Sequence, residues 1–384
     1  MSQNTREDRL FRESCEKFGL QIGMKSATLA ARNGSALALV SRLFTSIIMS
    51  IPFFSKLRHK KAHLKLVQQE LQKVREEIAR QTEDFEPCVR EYMRQVCRGQ
   101  GKMLRPGLVL LTAAATGGIR KEHVTFAALL EMIHMASLIH DDVLDKADTR
   151  RDQPTPNALW GNELAVLLGD TMLAQAIVMG TEIGGSKFCR KMALAMRDLC
   201  QGEVEQSTRL WDAEMSRADY YELIRKKTAT LFAVAMCGAA YLQQLDDEMI
   251  EQLNRMGTLL GISYQIYDDC LDLTGTDESA GKTLGTDAEK GKLTLPVFFL
   301  MESSCEDVAD FVRRSVERHE EIDYSQLRHT EAFREAIKLS VEEGLARNEE
   351  AREVLWLLPD TPARKALAEM TYRLDDMLRD CCSA

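Results

Sequence analysis

Between Pro156 and Pro296 the chain carries no proline at all. Proline removes a backbone donor and clashes with the preceding turn, so a long stretch without one favours a succession of packed helices. Only 8 prolines occur among 384 residues. The same region is rich in Leu, Ala and Met, while the alternating Val, Ile and Thr of strands is scarce. At roughly 150 residues per domain the length alone allows two or three domains. The composition argues instead for one large helical body, and 45% hydrophobic residues supply a sizeable core. The expected fold class is all-α.

Along the chain, residues 1–35 are mixed and polar, and Ala36 to Phe54 is largely apolar with Arg42 and Pro52 inside it. A membrane-spanning helix needs about 20 predominantly apolar residues. This run barely reaches that and is followed by the basic cluster Lys56, Arg58, Lys60, Lys61 and Lys65. Three readings stand side by side: an amphipathic extension, a helix lying on a membrane surface, and a true anchor. Translation starting at Met49 is a fourth. The division expected is an N-terminal extension over 1–60 and a helical domain over 61–384. Residues 61–98 read as one long charged amphipathic helix, the core runs from about Gly101 to Leu358, and Gly117-Gly118 and Gly184-Gly185 mark loops. A last helix is expected from about Pro362 to Arg379.

A net charge of -9 excludes a nucleic-acid binder. The 10 cysteines show no paired metal-ligand spacing, which points to structural thiols in a reducing, cytoplasmic setting. Membrane association would come through the N-terminal extension.

One short motif occurs twice: Asp141-Asp142-Val143-Leu144-Asp145 and Asp268-Asp269-Cys270-Leu271-Asp272. Both follow strongly apolar, helix-like sequence. On a helix, positions i and i+4 share a face, so Asp141 stands over Asp145 and Asp268 over Asp272. Like charges so placed cost an isolated helix roughly 0.2–0.5 kcal/mol per pair. Two such costs invite a compensating cation. Mg²⁺ suits them, since it takes one or two carboxylates together with waters and substrate phosphates. A solvated acidic face is the bland alternative for either motif alone; two copies in apolar surroundings, each with cations nearby, disfavour it.

Those cations lie in Gly101-Lys102-Met103-Leu104-Arg105-Pro106, in Arg150-Arg151, in Lys226-Lys227-Thr228, and in two glycine-bounded segments holding Lys282 and Lys292. Arg forks grip phosphate oxygens in pairs and Lys adds a point charge. His134 precedes Asp141 by about two helical turns and so shares its face.

Together these segments resemble the trans-prenyltransferase family, the head-to-tail isoprenyl diphosphate synthases. GKMLRP, IHMASLIHDDVLDKADTRR, LLGDTML, QGEVEQ, KKTATLF, YQIYDDCLDLTG and GKTLGTDAEKGKLTLP carry the resemblance, over about residues 90–300. It implies a single antiparallel helical bundle around a central cavity, and a homodimer. It implies an allylic diphosphate (farnesyl or geranylgeranyl) held through three Mg²⁺ ions by Asp141, Asp142, Asp145, Asp268, Asp269 and Asp272. Further contacts would come from Arg150, Lys227, Thr228, Gln265, Lys282 and Lys292, with Lys227 also counted as catalytic. Asp287 belongs to the same loop. Isopentenyl diphosphate would sit on Lys102, Arg105, His134 and Arg151. Three positions depart from the pattern: Asp152 stands where glycine is usual, Tyr264 where Phe is common, and Met103 where a basic residue is frequent. None removes a metal ligand.

In this family the residues one to two turns before the first motif floor the hydrocarbon tunnel. Here they are Ser137 and Ala136, both small, with Ile133 and Met132 farther down. One turn advances about 5.4 Å, comparable with an isoprene unit. The expectation is a medium- or long-chain polyprenyl diphosphate, such as a quinone side-chain precursor, with geranylgeranyl diphosphate as the alternative. Leu167, Met172 and Ala176 are candidates for the opposite wall. A terpene cyclase or head-to-head synthase would lack the complete second motif, and a non-catalytic subunit of a heteromeric synthase would lack ligands that are all present here.

Overall fold

The computed structural model describes residues 61–98, 101, 103–150, 153–275 and 290–382, all within a compact unit spanning His59–Ala384. Lys102, Arg151, Asp152, Lys282, Asp287 and the whole 1–60 extension lie outside the described residues.

The described chain is helical apart from one two-residue ribbon. In order it forms α1 Lys61–Glu83, α2 Pro87–Arg98, α3 Leu104–Thr116, α4 Lys121–Leu144, strands β1 Thr149–Arg150 and β2 Gln153–Pro154, α5 Pro156–Trp160, α6 Asn162–Ile183, α7 Gly185–Thr208 and α8 Arg217–Ile224. A π-turn over Arg225–Ala229 leads into α9 Thr230–Leu242 and α10 Asp247–Thr274; then come α11 Leu295–Met301, α12 Glu306–Arg318, α13 Tyr324–Leu327, α14 Glu331–Leu355 and α15 Pro362–Cys381. The single long helix expected over 61–98 is two. The chain leaves the helical path at Asp84, and Pro87 opens α2, where its missing N–H costs nothing.

α9 is almost wholly enclosed, and α4 is buried over much of its length. Leu129, Leu130, Met132 and Ala136 on α4, and Ala235, Met236 and Ala239 on α9, have no exposed surface. A helix apolar all round belongs inside. α4 lies along α6, α9 along α10, and α10 along α14. The α9–α10 contact depends on two glycines one turn apart. A Cβ at Gly257 would sit 2.5 Å from the Phe232 carbonyl oxygen, and one at Gly261 would sit 2.4 Å from Ala229 Cα. α10 therefore meets the π-turn and the start of α9 backbone to backbone about two turns before the second motif.

Caps fix the ends that matter. Ser216 and Asp219 form a reciprocal capping box at the start of α8, and Asp246 Oδ1 accepts from the Met249 N–H to open α10. α4 and α6 are each long and apolar enough to cross a membrane by length and composition alone. α4 is mostly buried in the protein, whereas α6 keeps one apolar face outward.

Candidate active site

Asp141, Asp142 and Asp145 end α4, and the β1–β2 ribbon folds back on them. Thr149 pairs with Pro154 and Arg150 with Gln153, and this register returns Arg150 to the helix end. Its Nε donates to Asp142 Oδ1 at 2.8 Å, and a terminal nitrogen reaches the same oxygen at 2.7 Å. Asp142 is buried; Asp141 and Asp145 are half-buried.

The three carboxyls are tuned differently. Burial pushes Asp141 up to about 6, with Glu203 and Asp145 adding repulsion against the pull of Lys227 and Arg150. Asp142 is also raised, burial outweighing Arg150. Burial would raise Asp145 as well, but Lys292, Lys290 and Lys227 together hold it below the ordinary value. Lys290 Nζ lies 3.1 Å from Asp145 Oδ2.

The second motif is on α10, with Asp269 and Asp272 buried and Asp268 half-buried. Asp269 accepts from the Tyr220 hydroxyl at 2.6 Å on Oδ2 and from Gln265 Nε2 at 2.8 Å on Oδ1. Gln265 Oε1 in turn accepts from Thr228 Oγ1 at 2.6 Å. Thr228 and Lys227 sit on the π-turn, a widened turn that recurs at functional sites. Gly202 of α7 allows it to pack there, since a Cβ would lie 3.0 Å from the Lys227 nitrogen. Lys227 Nζ is held 2.5 Å from Glu203 and donates to Gln206 at 2.6 Å. Adjacent residues of this turn thus serve the two motifs. Lys227 pulls on Asp141 and Asp145, while its neighbour Thr228 leads through Gln265 to Asp269.

Arg105, near the start of α3, lies with its guanidinium 5.1 Å from the Phe232 ring centre. Burial lowers its pKa, an effect that Glu131, Tyr264 and Asp268 oppose. Its Nε has no hydrogen-bond partner among the described residues. His134 is half-buried two turns below Asp141, and its carbonyl accepts from Ser137 Oγ at 2.8 Å. The preceding Met103 holds a left-handed φ of 50° as it enters α3.

Below the first motif lies an apolar cavity of about 610 Å³ between α4, α6 and α7. Leu129 and Ile133 form its α4 wall, facing Ala176 and Ile177 of α6 and Met192 and Met196 of α7. Of the proposed floor, Ile133 lines this cavity. Ala136 and Met132 are fully buried but are not among its lining residues; Met132 is rotated about 100° from Ile133. The three candidates for the opposite wall are placed differently. Ala176 lines the cavity, Met172 is buried elsewhere in the packing, and Leu167 points to solvent at 60% exposure.

Tyr220, Glu203, Gln206 and Lys290 touch the site and carry no role in the sequence reading. QGEVEQ marked the neighbourhood of Glu203 and Gln206, and the Lys290-Gly291-Lys292 spacing could have marked Lys290. Nothing local marks Tyr220, which meets Asp269 only through the packing of α8 on α10.

Among the described residues no three acidic, His or Cys side chains converge on one point. Asp142 turns to Arg150 and Asp145 to Lys290 instead. The donor set is nevertheless all oxygen, carboxylate and partly desolvated, which suits a hard divalent ion that completes its shell with water and phosphate.

The polyprenyl synthetase family model matches residues 86–330. The chain belongs to that family. Octaprenyl diphosphate synthase of Escherichia coli (strain K12) is 36% identical over 284 residues, covering 72% of this chain and 86% of the relative. The geranyl-diphosphate-specific all-trans-nonaprenyl-diphosphate synthase of Rhodobacter capsulatus is 32% identical over 279 residues, 72% of this chain and 86% of its own. Among solved structures, a polyprenyl synthase from Caulobacter crescentus CB15 complexed with calcium and isoprenyl diphosphate superposes with a TM-score of 0.74. Its identity is 29%, over 82% of this chain and 96% of that one. The all-α fold is the isoprenoid synthase fold of these neighbours. This polyprenyl synthetase is a prenyltransferase, a polyprenyl diphosphate synthase of the medium- to long-chain kind.

Proposed function

We propose that the two aspartate motifs hold an allylic diphosphate through Mg²⁺, and that the apolar cavity below Asp141 receives the chain as it grows. The observation carrying this reading is the stacking of the two environments on one helix. α4 ends in three carboxylates with cations around them, and two to three turns back the same helix walls a 610 Å³ apolar space. Head groups and hydrocarbon tails need that order.

Asp141, Asp142, Asp145, Asp268, Asp269 and Asp272 would hold the metal, which when bound supplies positive charge and Lewis acidity to the departing diphosphate. Lys227, and Thr228 with Gln265, position the allylic diphosphate, and Arg150 and Lys292 add charge. Arg105 and His134, with Lys102 and Arg151, bind isopentenyl diphosphate. The allylic carbon–oxygen bond breaks, the isopentenyl double bond forms the new carbon–carbon bond, and a proton leaves the adjoining carbon. Arg150, 38% exposed, holds the buried Asp142 carboxylate in place at the end of α4.

Ile133, Leu129 and Ala176 set how far the chain can extend. The product is a long-chain trans-polyprenyl diphosphate, the type that serves quinone side chains, made in the cytoplasm. A second copy of the chain is the protein partner. α6 leaves Leu167 60%, Ile177 53% and Val178 49% exposed, with Val166 beside them, an apolar strip of the kind that marks an interface. The test is to incubate the purified chain with labelled isopentenyl and farnesyl diphosphates and Mg²⁺. Elongation to all-trans chains is expected; no elongation, or a cyclic hydrocarbon, overturns the reading.

A further inference from the structure

We propose that Lys290 is a resident cation of the first motif: it holds the Asp145 oxygen that a divalent ion must take, so that the metal binds more tightly together with the diphosphate than ahead of it. The inference rests on the reading of Asp145 as a metal ligand. Lys290 Nζ is 3.1 Å from Asp145 Oδ2, although the two residues come from segments far apart in sequence. The contact is built. Gly291, next in the chain, has a φ of +72°, and a Cβ there would lie 2.2 Å from the Trp211 ring. The Trp211 backbone N–H donates to the Gly291 carbonyl at 2.9 Å, and the Trp211 ring stacks on His319 at 6.0 Å and 12°. This turn rests on an aromatic shelf that only glycine fits, and the shelf fixes where the lysine starts.

Asp145 is also the C-cap of α4, where the helix presents its carbonyl oxygens and the negative end of its dipole. An added carboxylate there calls for a cation, and Lys290 supplies one within the chain. Each side chain of the pair is 32% exposed, and pairs at that depth are weak. The arrangement is therefore a latch that a competing cation can open. When the metal brings a diphosphate, the released ammonium gains phosphate oxygens in exchange for Asp145. Metal and diphosphate then strengthen each other's binding through one lysine.

The test measures Mn²⁺ binding to the full chain without diphosphate, from the electron paramagnetic resonance signal of the free ion. Lys290→Gln should bind Mn²⁺ roughly two- to fivefold more tightly than wild type, and Lys290→Arg, which keeps the charge, should match wild type. In an Asp145→Asn background, Lys290→Gln should bring no gain. No gain from Lys290→Gln alone overturns the proposal. An equal gain in the Asp145→Asn background also overturns it, since a long-range field would then suffice. If Asp145→Asn binds Mn²⁺ as wild type does, the metal-site reading itself fails. Weaker binding in Asp145→Asn, normal elongation by wild type and no effect of Lys290→Gln would sink the latch alone.

Discussion

The Tyr220 hydroxyl donates to Oδ2 of Asp269 at 2.6 Å, from α8 to α10, with both residues almost wholly buried. A buried carboxylate needs its oxygens answered, and a hydrogen bond to a charged group contributes about 1.5–3 kcal/mol. Asp269 meets this with a tyrosine on one oxygen and Gln265 on the other. The second motif is therefore oriented before any ligand arrives.

Tyr220→Phe keeps the ring in its packing against Phe298 and Tyr221 and removes only the donor. Unfolding in urea should show a loss of roughly 1–3 kcal/mol, and the Mg²⁺ concentration for half-maximal elongation should rise severalfold. A variant equal to wild type in both would mean that Asp269 is held by other contacts.

Asp141 gives a pH-dependent prediction. Its carboxyl has an ordinary value of 3.8 and is pushed up to about 6 in the fold, chiefly by burial. Its contribution to stability is complete below the lower value and is lost as pH rises through the upper one. Above that, the metal-free fold bears a desolvated charge. Asp141→Asn cannot ionise, so it should raise the melting temperature of the metal-free protein at pH 8 by roughly 2–5 °C, with a smaller gain at pH 5. A destabilised variant at pH 8 would show that the charge is better solvated than its surroundings indicate.

Ala176 faces Ile133 across the cavity. Ala176→Phe fills space that is apolar and open, so it should shorten the product by one or more isoprene units while elongation continues. Sizing the products by thin-layer chromatography decides the matter. An unchanged distribution would place the limit elsewhere.

Leu167 and Val178 share the exposed strip of α6. The proposed dimer buries this strip, so replacing both with Glu should leave a monomer where light scattering coupled to gel filtration finds the wild type dimeric. A variant that stays dimeric would move the interface off this face.

The helical class, the break-free core and the two carboxylate faces were all legible in the sequence, because each depends on spacing within one helix. Asp141 over Asp145 follows from the helical period alone, and the Gly117-Gly118 pair marked the loop after α3. The arrangement of Lys227, and of Thr228 through Gln265 to Asp269, was half legible. Its members stood in matching segments, but the π-turn that aims them depends on Gly202 and Gly261, whose partners lie on other helices. Tyr220 and Lys290 were missed because their carboxylates are reached only through the fold. Pro87 did carry the signal for the broken first helix, and helical periodicity on both sides masked it. The opposite wall of the cavity could not be read either. Leu167 and Ala176 are both apolar on one helix, and only the packing of α6 shows which one faces in.

The most direct measurement is the product size distribution from farnesyl diphosphate, isopentenyl diphosphate and Mg²⁺. All-trans products several isoprene units longer than geranylgeranyl diphosphate are expected. Products ending at geranylgeranyl diphosphate would contradict the role given to the cavity below Asp141.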